Sequence, residues 1–404
     1  MNIQHGFLAD YFDGIGFKRL KPVEIDPEVS HEHEFNGIDQ FRKLLGADKR
    51  SLSCRVIYLS DDEDEIIEDR VELTWYDARL NHPTRSEYRL YYKESDCFIK
   101  AKPEDLMILC KDRNDDFTIF IAKNGDTIEN QLVWLFGISD SIETTVGQVK
   151  TFRQDTGLDY FSNLILDKIG ISLQTPDVPL LENILEQFPN GFPRTFEFSQ
   201  FARSFIENID LAGDPDTALV EWLDYEESLF RVLEKYFVEK KIKSGFQGVD
   251  DFIEFSLGVQ NRRKSRAGYA LENHIRYIFD SNNISYSYNK ITENRARPDF
   301  IFPNIEKYRD MSFPEKFLSM LGVKTTCKDR WRQVLSEAKR IERKHLFTLE
   351  PGISVSQTDE MLDHGLQLVV PREIRSTYKA EQQRWLMSLV EFIDQVKYLQ
   401  GIKT

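Results

Sequence analysis

The first 150 residues contain short apolar segments separated by polar clusters. Each segment is rich in β-branched and aromatic residues and is bounded by Asp, Asn, Gly, Pro or Ser, a pattern typical of strands joined by turns. We therefore predict an antiparallel sheet or barrel in a β-rich N-terminal domain over residues 1–150. The predicted strands are residues 53–60, 69–78, 87–93, 105–111 and 116–123.

The pattern becomes helical from about residue 143 to residue 260. Apolar residues there recur at intervals of three and four, as in "FSQFARSFIENI" and "ALVEWLDYEESLFRVLEKYFVEKKI", which is the spacing of one face of an α-helix. The proline-containing segments "TPDVP" and "FPNGFPRT" interrupt this pattern and indicate a linker or an exposed loop. We assign residues 151–187 to a linker within a helical connecting region.

Helices and strands alternate from residue 262 onward. Helical periodicity is present in "GYALENHIRYIFDSN", "RWRQVLSEAKRIE" and "RWLMSLVEFIDQVKYL". Strands are predicted for "RPDFIFP", "MLGVKTTC", "KHLFTLE" and "LQLVVP". This alternation is typical of an α/β domain with a central mixed sheet, and we place that domain at residues 188–404.

Composition and charge limit the range of functions that the protein can have. The chain has no apolar run long enough for a membrane span and no signal-peptide pattern at its start, so a cytoplasmic protein is expected. Its four cysteines are far apart and are predicted to be reduced. The net charge of −15 argues against a general nucleic-acid binder. Residues 251–350, however, contain 19 Lys and Arg against 13 Asp and Glu, so a polyanion is expected to bind there.

Charges of both signs cluster at one predicted strand-to-helix junction, "GVKTTCKDRWRQVLSEAKRI". Phosphodiester hydrolysis requires acidic ligands for Mg²⁺ and a lysine that stabilises charge or orients water. Asp299 in "RPDFIFP" and Lys324 in "GVKTTC" would lie at the same end of the sheet if their strands pair. In the common nuclease arrangement a second acid stands two residues before the lysine, but that position is Gly322.

Two other acids could contribute to this site. Glu337 is predicted to replace the acid from the helix that follows Lys324, and Glu272 to add another acid from a third element. A Pro-Asp turn and a surface ion pair are the alternative explanation. The basic clusters "NRRKSRAG" and "CKDRWR" beside these acids favour a nuclease, because Arg and Lys bind phosphates or guanine and Asp329 can accept from cytosine. A G·C-rich DNA site is therefore expected.

Several segments resemble the catalytic domain of EcoRII-type restriction endonucleases, the group that includes PspGI and Ecl18kI. They are "NRRKSRAG", "RPDFIFP", "VKTTCKDRWRQVLSEA", "HLFTLEPGIS" and "LQLVVP". The resemblance extends over about residues 188–400 and implies a PD-(D/E)xK-like nuclease fold whose second acid has moved to a helix. It also implies Mg²⁺-dependent cleavage of double-stranded DNA at a CCWGG or CCNGG site, by a bacterial or archaeal enzyme. A symmetric site of this kind suggests a homodimer.

The resemblance also implies roles for individual residues. Asp299, Lys324, Glu337 and Glu272 correspond to the catalytic set, with Asp299 and Glu337 as the metal ligands. Members of the group flip the central bases out of the helix, and Trp222 is either the stacking platform or a core residue. The remaining residues assigned to DNA are the base readers Lys328, Asp329 and Arg330 and the phosphate contacts Arg262, Arg263, Lys264 and Arg266.

The resemblance does not extend clearly into the N-terminal domain. One member of the group, EcoRII, carries an N-terminal DNA-binding β-barrel, which implies that residues 1–150 bind a second DNA site allosterically or a modified base. Their candidate surface is "TWYDARLNHPTRSEYRLYY", which places Arg79, Arg85 and Arg89 among aromatic residues. A sheet with one buried side is the alternative explanation. The alternative for the whole chain is a cleavage-inactive or effector-dependent DNA-binding protein, or an N-terminal domain that binds another protein.

Overall fold

The chain forms two compact units, residues 1–156 with 352–356 and residues 157–351 with 357–404. Most of the predicted linker, residues 151–187, and the predicted base readers Lys328 and Asp329 lie outside the residues that the structure describes. This computed structural model describes residues 12–138, 165–166, 181–189, 191–206, 209–327 and 330–402.

A seven-stranded sheet forms the N-terminal unit, in the order β1-β6-β7-β3-β4-β5-β2. All five predicted strands are present, whereas β1, which contains two glycines, and the three-residue β2 were not predicted. The sheet is antiparallel as predicted except between β3 and β7, which pair in parallel. The strands are β1 Gly14–Arg19, β2 Glu34–Asn36, β3 Arg50–Leu59, β4 Ile67–Asp77, β5 Tyr88–Tyr92, β6 Leu106–Lys111 and β7 Phe117–Ala122.

Short helices accompany this sheet, and its core contains Phe35, Trp75 and Tyr92. Trp75 and Tyr92 were part of the candidate DNA surface of the N-terminal domain. Both are buried, so these two aromatic side chains lie on the buried side of the sheet. All four cysteines of the chain are buried and free, as predicted. The helices are α1 Pro22–Ile25, α2 Asp39–Leu45, α3 Asp96–Lys100 and α4 Thr127–Leu135.

A five-stranded sheet forms the centre of the C-terminal unit, in the order β12-β11-β10-β9-β8. Strands β8, β9 and β10 are antiparallel neighbours, whereas β10, β11 and β12 pair in parallel. The predicted mixed sheet is therefore present, and this unit is an α/β domain. Its strands are β8 Ser287–Tyr288, β9 Phe300–Phe302, β10 Ser319–Lys324, β11 Lys344–Thr348 and β12 Leu366–Val369.

Nine described α-helices accompany this sheet, and two of them are long. α7 begins at Pro215, where the Asp214 side chain accepts a hydrogen bond from the Thr217 N–H, and it ends before Gly245, whose φ is 77°. No described helix is long and apolar enough to cross a membrane. The helices are α5 Leu181–Gln187, α6 Thr195–Arg203, α7 Pro215–Ser244, α8 Val249–Ser281, α9 Ile305–Arg309, α10 Trp331–Leu335, α11 Val355–Asp363, α12 Ala380–Gln383 and α13 Leu389–Gln400.

The helix predicted after Lys324 is much shorter than its apolar periodicity indicated. α10 ends at Leu335, and Ala338 has a φ of 45°, a left-handed conformation that a continuing α-helix cannot contain. Glu337 therefore lies in the turn after the helix. This corrects the prediction that a helix carries this acid.

Candidate active site

Pairing of β9 with β10 brings Asp299 next to Lys324. Phe300 is paired with Leu321, so the residue before β9 lies beside the last residues of β10. Asp299 Oδ2 accepts hydrogen bonds from the Val323 N–H at 2.6 Å and from Lys324 Nζ at 2.9 Å. The Asp299 and Lys324 side chains are only 15% and 21% exposed, so their interaction is weakly screened by water.

Gly322 is a glycine because α10 packs closely against this part of β10. A Cβ added at Gly322 would lie 3.0 Å from Val334 Cγ2. A side chain at this position would therefore force Val334 to shift within the core. The usual place of the second acid is filled by the helix, and the acid must come from another part of the chain.

Glu337, the residue predicted to replace that acid, lies in the turn that follows α10. Its Oε2 atom is buried and has no hydrogen-bond partner among the described residues. Burial, together with the negative charge of Asp299, raises the pKa of Glu337 from its ordinary value of 4.5 to about 7. A buried carboxylate oxygen without a donor, close to a second carboxylate, is a site that a cation would stabilise.

Glu272 reaches the same region from α8. Its carboxylate accepts a hydrogen bond from the hydroxyl of Tyr288 on β8. Burial raises the pKa of Glu272, and the charge of Asp299 adds to this effect while Lys324 opposes it. The charges of Asp299 and Lys324 thus act on both Glu272 and Glu337, so the four residues of the predicted catalytic set lie near one another.

These acids fit a metal ion held by few protein ligands. Among the described residues, no group of three or more His, Cys, Asp or Glu side chains is arranged to hold a metal. Mg²⁺ commonly uses one or two carboxylates and takes its remaining ligands from water and substrate phosphate. Asp299 and Glu337 fit such a site, and the Glu272 carboxylate is already held by the Tyr288 hydroxyl.

Two neighbours of this site were not predicted from the sequence. Tyr288 holds Glu272, and Lys344 is buried at the start of β11, where its Nζ donates to the Ile341 carbonyl at 2.8 Å. Burial lowers the pKa of Lys344, while the negative charges of Glu337 and Glu293 oppose this effect. The one available signal for Lys344 was a lysine that opens an otherwise apolar strand.

The predicted DNA-contact residues have different environments. Arg330 is exposed just before α10, and Lys264 is exposed on α8. Arg262 is also exposed, and its guanidinium lies 4.1 Å from the centre of the Phe192 ring. Arg263 forms an ion pair with Glu234 at 2.6 Å, which partly neutralises it.

Arg266 is not placed to contact DNA. Its side chain is buried and forms ion pairs with Glu226 and Glu227 on α7. Although burial alone would raise the pKa of Glu227, Arg266 and Arg231 lower it, which keeps the carboxylate charged. The phosphate contact predicted for Arg266 was therefore wrong, because this arginine joins α8 to α7.

Trp222 belongs to the same buried contact between α7 and α8. It is 3% exposed, and its ring stacks on His274 with a centroid separation of 5.5 Å. His274 Nε2 lies 2.9 Å from a Glu226 carboxylate oxygen, and burial lowers the pKa of His274. Of the two interpretations of Trp222, the structure supports the core residue and contradicts the stacking platform.

Replacement of Arg266 tests this structural role. We expect Arg266→Ala to lower the free energy of unfolding by about 3 to 5 kcal/mol, because it removes the buried arginine that pairs with two buried carboxylates. The exposed Arg262→Ala is the matched control and should change stability by less than about 1 kcal/mol. Urea unfolding followed by circular dichroism measures both. Equal stability of the two variants would exclude the role assigned to Arg266.

Comparison with known proteins gives the family of the chain. Residues 230–393 match the family model described as EcoRII C terminal. The chain is 36% identical over 325 residues to the type II restriction enzyme EcoRII from Escherichia coli, covering 79% of this chain and 77% of that enzyme.

Two similar solved structures are of DNA complexes. Metal-depleted Ecl18kI with uncleaved, modified DNA has 16% identity and a TM-score of 0.45, covering 55% of this chain and 83% of Ecl18kI. The PspGI-substrate DNA complex has 14% identity and a TM-score of 0.43, covering 57% of this chain and all of PspGI. The identity to EcoRII over most of both chains confirms the resemblance found in the sequence. The chain therefore belongs to the EcoRII family of type II restriction enzymes and is a site-specific DNA endonuclease.

Proposed function

We propose that this endonuclease cleaves double-stranded DNA at a CCWGG or CCNGG site and that Mg²⁺ is its cofactor. The observation that supports this most directly is the geometry around Asp299. It is held by Val323 N–H and Lys324 Nζ, and the unpartnered oxygen of Glu337 is buried under the influence of its charge.

Each residue of the site has a separate proposed role in catalysis. When bound by Asp299 and Glu337, Mg²⁺ would supply Lewis-acid activation of the scissile phosphate and of water. Lys324 places a positive charge at the edge of the sheet, where negative charge develops on the phosphate. The Val323 N–H fixes the orientation of Asp299. Glu272, held by Tyr288, adds negative charge to the same region.

DNA recognition is assigned to basic residues of the C-terminal unit. We assign Arg330, together with Lys328 and Asp329, to the outer C·G pairs, because Arg and Lys pair with guanine and Asp with cytosine. Exposed Arg262 is assigned to a phosphate. With Trp222 in the core, the base flipping that the resemblance implies requires a different stacking residue. A symmetric site requires two active sites, so the enzyme acts as a homodimer in the cytoplasm.

The N-terminal domain, residues 1–150, is assigned to a second DNA site or a modified base. Within its candidate surface, Arg79 and Arg89 both pair with Glu87, which reduces their charge toward a ligand. Arg85 is exposed and Tyr91 is 40% exposed, so these two remain available for contact. A second-site role makes the enzyme dependent on an effector duplex, which is the alternative that the sequence left open.

A plasmid assay with the full chain tests the proposal. We expect cleavage of a plasmid with several CCWGG sites in the presence of Mg²⁺, and none with EDTA or when one base pair of each site is changed. A cytosine-methylated copy of the plasmid shows the response to modification. If folded protein cuts no plasmid even when a short CCWGG duplex is added as effector, the proposed site is wrong.

A further inference from the structure

The first half of α8 has an unusual surface. From Val249 to Ser265, all of which the structure describes, no side chain is buried, and the buried residues of this helix begin at Arg266. This half nevertheless carries large apolar side chains that are about half exposed, among them Phe252 at 51%, Ile253 at 47% and Leu257 at 53%. Exposed apolar surface of this kind marks an interaction site more often than a solvated face.

One stripe of this helix combines apolar and polar residues, with opposite charges at equal distances on either side of a central leucine. Its members recur at intervals of three and four and therefore share a face. Leu257 is its centre, Asp250 precedes Leu257 by seven residues, and Lys264 follows it by seven. Within the described part of the chain neither Asp250 nor Lys264 has an ion-pair partner. The stripe is Asp250, Ile253, Leu257, Asn261 and Lys264, and all five are exposed.

We propose that this stripe, Asp250 to Lys264, is a self-association surface whose partner is the same stripe on a second copy of the chain. In a two-fold interface the same surface meets itself. Two α8 helices that cross antiparallel at Leu257 place the two Leu257 side chains together. Asp250 of each copy then lies opposite Lys264 of the other, so both charges are paired. The proposal rests on the two-fold dimer of the proposed function and identifies its surface.

The surrounding apolar residues enlarge this contact. A stable dimer buries about 1,000 Å² or more in total, which exceeds the area of a single helix crossing. Ile242 and Val249, at the adjoining ends of α7 and α8, are 58% and 73% exposed. The ends of the two helices are held together by an ion pair of Lys241 with Asp251 at 3.2 Å. This end of the helix pair therefore extends the apolar area beside the stripe.

The assignment gives Lys264 a role different from the phosphate contact predicted from the sequence. A phosphate contact requires only positive charge at this position. The symmetric pairing also requires the negative charge of Asp250. Exchange of the two charges therefore separates the two roles.

The test is the oligomeric state of the full chain in sedimentation velocity at low salt. Leu257→Asp places two carboxylates together at the two-fold axis and should weaken association by about 100-fold or more. Leu362→Asp on α11 is the matched control, because Leu362 is also 53% exposed, and it should leave association unchanged. Asp250→Lys and Lys264→Asp should each weaken association. The double variant Asp250→Lys/Lys264→Asp should restore it, since it only reverses the pairs.

Four outcomes would overturn the interface. They are a monomeric wild-type chain, a Leu257→Asp variant that stays dimeric, a double variant that stays as weak as the singles, and loss of DNA affinity by Leu257→Asp without change of association. Circular dichroism of every variant confirms that it is folded. Wild-type cleavage of the CCWGG plasmid, measured in parallel, separates the two proposals. A wild-type chain that cuts but associates independently of Leu257 refutes the interface alone, whereas a dimer that depends on Leu257 but does not cut refutes the proposed DNA site alone.

Discussion

Lys324→Ala is expected to lower the cleavage rate by about 1,000-fold or more while DNA affinity changes by less than about threefold. Lys324 Nζ lies 2.9 Å from Asp299 Oδ2 at the edge of the sheet, where the phosphate is proposed to lie. Negative charge develops on the phosphate in the transition state. The variant lacks the lysine charge that is proposed to stabilise it. Asp299 keeps its hydrogen bond from the Val323 N–H, so the fold around the site should persist.

The control for this loss is another lysine of the same unit. The Lys243 side chain is 80% exposed on α7, and Lys243→Ala should cleave at close to the wild-type rate. Single-turnover cleavage of a CCWGG duplex gives the rate, and a filter-binding titration without metal gives the affinity. A Lys324→Ala variant that retains a tenth of the wild-type rate would remove this lysine from the catalytic set.

Glu337→Gln should have opposite effects on stability and on cleavage. The pKa of this carboxyl is about 7 in the folded chain, against an ordinary value of 4.5, because it is buried and close to Asp299. Its ionised form therefore destabilises the fold. At pH 8 and without metal, the glutamine variant should be more stable by about 1 kcal/mol, allowing for partial screening by solvent. Its cleavage rate should fall by about 100-fold or more.

The pH dependence has a definite sign. A carboxyl whose folded pKa is raised destabilises the folded state increasingly as pH rises from its ordinary value of 4.5 to about 7, and by a constant amount above that. The stability advantage of Glu337→Gln should thus be absent at pH 4 and complete at pH 8. At Mg²⁺ concentrations well below saturation, wild-type cleavage should rise as pH passes through about 7, since the ionised carboxylate is the ligand.

Glu306 provides the control for both measurements. It is an exposed acid at the start of α9, and Glu306→Gln should alter neither stability nor cleavage beyond about 0.5 kcal/mol or twofold. Addition of Mg²⁺ should stabilise the wild type more than Glu337→Gln, because the variant lacks one of the proposed ligands. Equal stabilisation of both by Mg²⁺ would contradict the assignment of Glu337 as a ligand.

The active site shows where sequence patterns were sufficient. Apolar runs predicted β9 and β10, and their pairing brought Asp299 to Lys324 as expected. Glu337 was predicted, from its position after the strand, to replace the acid that is missing at Gly322, and it lies close enough to Asp299 to feel its charge. The pattern did not reveal that α10 stops at Leu335, because residues 336–342 keep a helical apolar spacing. The backbone turn at Ala338 and the contact of Val334 with Gly322 depend on packing against the sheet.

The family, the mixed sheet and the four acidic and basic residues at its edge could be predicted from the chain. They follow from local periodicity, residue type and resemblance, all of which can be observed along the chain. The exposure of the basic side chains depends instead on how the helices pack. Arg262 and Arg266 belong to the same basic cluster, yet Arg262 is exposed and Arg266 is bonded to Glu226, a residue 40 positions earlier. Burial and pairing of this kind depend on contacts between helices, so no local pattern could separate the two arginines.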